Sequence, residues 1–247
     1  MKLIKTKLQN GLVMWYRSDD RYIGQRIAIQ KYEEYESVLI LRNVNKNSVV
    51  VDVGANIGYY TLLLAKICKK VYAFEPDKRC FEILKKNIEE NKLKNVVLFN
   101  LAVGDKNEKV EFIIDKENLG NSRIGDGDET ILCDSLDNVL KKEKIDLMKI
   151  DVQGYEEKVI EGAKNIISKY SPILFMEYNG GNLEFLKKIY KNIFTIDYWF
   201  YILKKGIKID KKTGYADLLL TNKNISLWER YINLQWKKII KKILGMS

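Results

Sequence analysis

The sequence predicts an α/β domain built on a mostly parallel sheet with helices on both faces. From Ser48 onward, short β-branched runs alternate with amphipathic stretches, the pattern of strand–helix–strand units. The first run, SVVVDVG, ends in Asp52 and Gly54 and opens directly into a helical stretch, as strands buried on both faces do. A chain of 247 residues with 46% hydrophobic and 11% aromatic content is long enough for a continuous core and too apolar for disorder.

Before the alternation begins, LIKTKLQNGLVMWYR reads as two short strands around Asn10-Gly11, a hairpin signal, and Tyr32 to Arg42 has helical spacing. After SVVVDVG, YYTLLLAKICK reads as a helix and VYAFEP as a second strand stopped by Pro76. DKRCFEILKKNIEENK is amphipathic, with Phe81, Leu84 and Ile88 on one face. VVLFNLAV reads as a strand, KVEFIID as a strand or hairpin, and NLGNSRIGDGDE as a loop. IDLMKIDV is a strand, EEKVIEGAKNIISKY a helix, PILFMEY a strand and NLEFLKKIYKN a helix. IFTIDYWFYILKK and YADLLLTN close the domain as two strands. The divisions are an N-terminal arm at 1–47, the α/β domain at 48–224 and a terminal helix at 225–247.

Composition narrows the chemistry. The chain has no histidine, which excludes His-ligated zinc or haem, a Ser-His-Asp triad and an imidazole base. Cys68, Cys80 and Cys133 have neither disulfide-framework nor metal spacing, so a reducing compartment is expected. Lys interrupts the apolar run at the N-terminus, which therefore does not read as a signal peptide, and no uncharged stretch reaches membrane-helix length. A cytoplasmic location follows as an expectation. The net charge of +10 suits nucleic acid, an anionic membrane or a Lys-rich surface, and its placement must decide.

The strongest motif is Asp52-Val-Gly54-Ala-Asn56-Ile-Gly58, between a strand and a helix. Its glycine spacing is neither that of a dinucleotide fingerprint nor that of a P-loop. An acid beside the first glycine suits a ligand with an amine, and Glu75, ending the next strand, is placed to accept hydrogen bonds from ribose hydroxyls. A ligand with an ammonium and carboxylate at one end and a ribose at the other is S-adenosyl-L-methionine (SAM).

DVGANIGYYTLLLA, AFEPD, FNLAVGD, NLGNSRI, KIDVQGYEEKVIEGA and PILFMEY, in that order from about Ser48 to Gly180, resemble the FkbM-type SAM-dependent methyltransferases. The Tyr32–Glu36 segment is similar to that family's lead-in. The resemblance implies a Rossmann-like SAM methyltransferase fold with a seven-stranded, mostly parallel sheet. It also implies a cofactor site made by Asp52, Gly54, Asn56, Gly58, Glu75, Asn100 and Ala102, with Ser122 and Arg123 bordering the substrate.

Transfer from a sulfonium is an in-line displacement, and without histidine any base must be a carboxylate. Asp151 at the end of IDLMKID is the first candidate, and Glu177 and Glu156 are the others. The family's usual D-V-E-G-x-E is here Asp151-Val-Gln153-Gly154-Tyr-Glu156, and Gln153 cannot accept the proton. No metal site is legible in the scattered carboxylates. In the terminal stretch, Trp228, Ile232, Trp236, Ile239 and Ile243 form one stripe, with Lys237, Lys238, Lys241 and Lys242 off it. Such a helix suits an anionic membrane surface, or packs on its own domain.

The expected function is SAM-dependent O-methylation of a hydroxyl on a sugar, glycan, glycolipid or small metabolite, assisted by a strand-end carboxylate. A non-catalytic SAM-fold binding or assembly protein at a membrane is the second reading, for which Gln153 and the tail are the clues. An RNA methyltransferase ranks lower. The chain lacks an Asn/Asp-Pro-Pro-Tyr loop, and none of its cysteines ends the catalytic strand.

Overall fold

A computed structural model describes residues 2–8, 11–20, 22–29, 32–116, 118–127, 129–178, 180–197, 202–210 and 214–224. The helix expected at 225–247 lies outside these residues. Strands β1 (Leu3–Lys7) and β2 (Val13–Arg17) pair antiparallel as the hairpin the sequence signals. Helices α1 (Gly24–Ala28) and α2 (Glu34–Arg42) follow. The alternating region then runs β3 (Val49–Val53), α3 (Tyr59–Ala65), β4 (Lys70–Phe74), α4 (Lys78–Glu90) and β5 (Val96–Phe99). Next come β6 (Ala102–Val103), β7 (Glu108–Ile113), a 3-10 turn at Leu119–Asn121, β8 (Arg123–Ile124) and β9 (Glu129–Asp134). The chain continues through α5 (Leu136–Val139), β10 (Leu147–Ile150), α6 (Glu156–Glu161), α7 (Lys164–Tyr170) and β11 (Ile173–Tyr178). It ends in α8 (Glu184–Ile189), β12 (Asn192–Asp197), β13 (Ile202–Lys205) and β14 (Ala216–Thr221).

The main sheet has the order β13-β12-β14-β11-β10-β3-β4-β5. Five strands, β11 to β5, run parallel, and β14, β12 and β13 are antiparallel along one edge. Strand order reverses between β3 and β10, which makes their carboxyl ends the switch point where such sheets bind ligands. One face packs Val51, Phe74, Met148, Leu174 and Leu218 under α5 to α7, and the other packs Val50, Leu147, Phe175 and Leu219 under α2 and α3.

Four expectations are corrected. Among the described residues the main sheet has eight strands where seven were expected, because the run read as one strand from Ile193 to Lys205 contributes two antiparallel strands, β12 and β13, and carries no Gly or Pro to announce the reversal. VVLFNLAV divides at Asn100, leaving β5 in the main sheet and β6 in a four-stranded sheet, β6-β9-β7-β8. EEKVIEGAKNIISKY breaks at Gly162, where any Cβ would collide with the Gly104 carbonyl. Asp137 then caps α7 by accepting from Asn165 and Ile166 N–H at 2.8 and 2.9 Å. Within NLGNSRIGDGDE, read as one loop, Arg123–Ile124 pairs with β7 as β8.

The arm is docked firmly. Asn87 in the last turn of α4 and Asn91, the residue that caps its C-terminus, present their side-chain amides to the outer edge of β2. Their oxygens accept from Trp15 and Val13 N–H at 2.6 and 2.8 Å, and their amide nitrogens donate to the same residues' carbonyls. The two amides thereby satisfy an edge strand as a neighbouring strand would. Leu12, Met14, Tyr16, Ile23 and Ile27 complete this seam against Ile57, Ile83 and Leu84. Among the described residues no helix is long and apolar enough to cross a membrane.

A candidate active-site cleft at the switch point

The turn after β3 is built on three left-handed residues, Gly54 (φ 77°), Asn56 (φ 52°) and Gly58 (φ 96°), and Asn is the non-glycine residue that adopts this region most readily. Gly54 and Ala55 N–H both donate to the Phe74 carbonyl, at 3.0 and 2.9 Å, which ties the turn to β4. Glu75 continues β4 and turns inward. Its Oε2 accepts from Asn56 N–H at 2.7 Å and its Oε1 from Asp77 N–H at 2.8 Å. Burial outweighs these two donors and pushes the carboxyl up to about 8.

At the end of β10, Lys149 points into the fold. It is 4% exposed, with its Nζ 3.1 Å from Asp151 Oδ2 and 4.8 Å from the Tyr60 ring centre. Burial alone would lower its pKa, but the carboxylates of Asp151, Asp52, Glu36 and Glu33 outweigh it and hold the ammonium charged. Gln153 donates from Nε2 to Asp151 Oδ1 at 2.9 Å, so each Asp151 oxygen has a fixed donor. Burial opposes ionisation of Asp151, yet Lys149 and Gln153 prevail and keep its carboxyl below the usual range. Gln153 itself is left-handed (φ 56°), as is Gly154.

These strand ends line a cleft of about 200 Å³ together with Tyr22, Ile23, Tyr32 and Glu33 of the arm and the Asn118–Ile124 segment. The Tyr32 ring packs edge-on against Tyr59 at 5.0 Å, and the Tyr59 hydroxyl donates to the Tyr32 carbonyl at 3.2 Å. Ser122 Oγ accepts from Asp115 N–H at 3.2 Å, and Arg123 lies exposed at the rim.

Of the residues expected at the site, Gly54, Asn56, Glu75, Ala102, Ser122, Arg123 and Asp151 line this one cleft. Asp52 does not. Strand alternation turns it away from the opening, it is 0% exposed, and its Oδ2 accepts from the Thr61 hydroxyl at 2.6 Å. Gly58 caps α3 behind the lining, packed on Leu84. Asn100 donates to the Glu75 and Pro76 carbonyls at 2.8 and 3.0 Å and so fixes the β4 terminus from outside.

Two of the three carboxylates named for catalysis also fall off the cleft. Glu156 is buried with its Oε1 accepting from Val152 and Gly154 N–H at 3.2 and 3.1 Å, which pins the turn that carries Gln153. Glu177 faces Asp217 across β11 and β14 and lines a separate cavity of about 20 Å³. Burial, with Asp151, Glu156 and Asp217 nearby, pushes it up to about 7. Sequence reasoning missed Lys149, Tyr32, Glu33 and Tyr60. A lysine inside the apolar run IDLMKID was the readable signal for the first, because a buried ammonium requires carboxylates around it.

The donor set fits SAM. Glu75 offers a fixed carboxyl for hydroxyls, Phe74, Leu101 and Val103 offer an apolar wall for a purine, and the Asp151 carboxylate beside the Glu33 carboxyl offers an acidic end for a cationic sulfur. Among the described residues no group of three or more Asp, Glu, Cys or His side chains is arranged to hold a metal ion.

Residues 52–206 match the family model described as the methyltransferase FkbM domain. The chain is similar to the probable cobalt-precorrin-6B C(15)-methyltransferase (decarboxylating) of Methanocaldococcus jannaschii, 35% identical over 95 residues, which are 38% of this chain and 52% of that protein. It is also similar to the tRNA (guanine(37)-N(1))-methyltransferase Trm5b of the same organism, 32% identical over 90 residues, 36% of this chain and 25% of that one. Among solved structures it superposes on the methyltransferase FkbM from Methylobacillus flagellatus with a TM-score of 0.51 and 16% identity, covering 72% of this chain and 44% of that one. The chain thus spans about half, or less, of the length of the relatives it matches.

Proposed function

The chain belongs to the FkbM methyltransferase family, and on that premise we propose that it methylates a hydroxyl of a sugar, glycan, glycolipid or small metabolite. It is a SAM-dependent methyltransferase. SAM supplies an activated methyl group on sulfur, so the residues of this chain have to bind, align and exclude water. Alignment alone is worth roughly 7–11 kcal/mol of barrier.

The observation that carries the hydroxyl reading is Asp151. Its side chain is 37% exposed to the cleft, and both its oxygens are fixed, one by Lys149 and the other by Gln153. A carboxylate held ionised in this way is a weak base and a good hydrogen-bond acceptor, suited to orienting an acceptor O–H for in-line attack. Glu75, clamped by the Asn56 and Asp77 amides, is assigned to the ribose hydroxyls. Arg123 at the rim suits an anionic group on the acceptor. The relatives are named for a precorrin carbon and a tRNA nitrogen, so kinship does not choose the acceptor. We also assign the protein to the cytoplasm, with the Lys-rich stretch after residue 224 resting on an anionic membrane surface.

Incubation of the full chain with methyl-labelled SAM and parallel panels of free sugars, glycolipids, small hydroxylated compounds and tRNA tests this reading. Label is expected in the hydroxyl panels. Asp151→Asn is expected to lower kcat about 100-fold through misalignment, whereas Glu177→Gln, off the cleft, stays near wild type. Label confined to tRNA, or full activity in Asp151→Asn, overturns it. For the cofactor, Glu75→Gln is expected to weaken SAM binding about tenfold or more, since burial leaves the Glu75 carboxyl largely protonated at neutral pH and two hydrogen bonds to an uncharged group are worth about 1 kcal/mol each. An unchanged Kd by calorimetry removes Glu75 from the ribose.

A further inference from the structure

Glu33 holds a position that the alignment chemistry above does not use. It sits at the start of α2 with a left-handed backbone (φ 41°), and it lines the cleft beside Tyr32, Tyr60, Lys149 and Asp151. The groups facing it are Lys149 and Asp151 from the β10 end, Tyr60 from α3, and Tyr32 and Glu36 of its own segment. Asp52 of β3 and Asp217 of β14 complete the surroundings of Lys149 and Glu36. Four carboxyls, Glu33, Glu36, Asp52 and Asp151, thus share the Lys149 ammonium. Independently, Asp52 Oδ1 is fully buried with no hydrogen-bond partner. Two of these four carboxyls, Glu33 and Asp151, line the cleft itself, together with Lys149.

We propose that Glu33 distinguishes the cationic methyl donor from its neutral product: it gives up a proton when a sulfonium is bound in the cleft and keeps it when the sulfur is a thioether. SAM and S-adenosylhomocysteine (SAH) share the ribose, the adenine, the ammonium and the carboxylate, and differ by one methyl group and one positive charge. Any proton shed by Glu75 toward the ribose is therefore common to both, and the difference between the two ligands isolates the sulfur.

The sign follows from the charges. Burial raises the pKa of Glu33 above the ordinary carboxylate range, and Lys149 only partly offsets it. The empty cleft therefore holds the proton at pH values where an exposed glutamate has lost it. A bound cation favours the ionised form, so SAM affinity rises with pH through that window, by roughly tenfold per pH unit for one linked proton. SAH affinity lacks this contribution. Product release is thereby assisted by recapture of the proton from solvent, with no bond broken in the protein. The inference rests on the cleft being the cofactor site.

Calorimetric titration of the full chain with SAM and with SAH, each at the same pH in phosphate and in Bis-Tris, two buffers of different ionisation enthalpy, reads the protons directly. Wild type is expected to release up to one more proton with SAM than with SAH at pH values above the ordinary glutamate range, where burial still holds the proton on Glu33. In Glu33→Gln that difference should vanish and SAM should lose about tenfold in affinity, while the SAH Kd is unchanged; the SAH Kd also reports that the variant is folded. Equal proton release for the two ligands in the wild type overturns the proposal without recourse to any variant. Persistence of the difference in Glu33→Gln overturns the assignment to Glu33. Binding of neither ligand overturns the cleft itself, a result distinct from both.

Discussion

Replacing Lys149 by Met is expected to cost about 3–5 kcal/mol of folding stability, the usual penalty for stripping one partner from a buried charge group. The substitution keeps the volume and removes the ammonium. Asp151 then loses a partner at 3.1 Å, and Asp52, which stands opposite Lys149 in register on β3, loses the favourable charge of that ammonium while its Oδ1 still has no donor. In the wild type the Lys149 pKa is raised, so its stabilising contribution is complete below the ordinary lysine range and is lost only as pH climbs past the folded value. In the variant the carboxyls left behind must take up protons to remain buried. Their folded pKa values then exceed the unfolded ones, and stability is gained as pH falls. Urea unfolding should accordingly show a lower midpoint with an unchanged m-value, and a larger recovery on acidification than the wild type has. A loss below about 1 kcal/mol, or parallel pH profiles, would show that the carboxyls do not depend on Lys149.

The parallel core and its switch point were legible because they rest on local signals. Val49, Val50 and Val51 put valine on both faces of the strand, Gly54 and Gly58 demand left-handed turns, and Pro76 stops a strand. Position along a strand was read correctly, but the direction of a side chain less so. Asp52 stands two residues before Gly54, and the alternation that aims Val53 at one face aims Asp52 at the other, so proximity in sequence to the turn did not place it in the cleft. The same limit applies to Glu177. It ends its strand as Asp151 does, yet β11 lies one strand further from the switch point. Tyr22, Ile23, Tyr32 and Glu33 were illegible for a different reason. Their place over the cleft is set by long-range contacts, the Asn87 and Asn91 amides on β2 and the Tyr32–Tyr59 ring pair, and no spacing within the arm encodes where it docks.

Gly54→Ala is expected to cost about 4 kcal/mol or more and to abolish cofactor binding, because two separate penalties meet at one atom. The backbone at Gly54 is left-handed, which costs an L-residue about 1–2 kcal/mol wherever it occurs. In addition, a Cβ there would lie well inside van der Waals contact of the Asp151 carbonyl oxygen, and that oxygen belongs to backbone that cannot rotate aside. Relief requires the carboxyl ends of β3 and β10 to part. The Asp151 N–H bond to the Val53 carbonyl at 3.1 Å would stretch first, followed by the paired bonds of Gly54 and Ala55 to Phe74. Those bonds carry Asn56 toward Glu75 and Asp151 toward Gln153, so the same displacement loosens both ends of the cleft. Gly11→Ala separates the two penalties. Gly11 is equally left-handed (φ 83°), but no atom lies within 4 Å of the added carbon, so it should lose only the conformational share and leave SAM and SAH affinity intact. Were the two variants to lose equal stability, the close approach of the Asp151 carbonyl to the turn would not be what holds the cleft in shape.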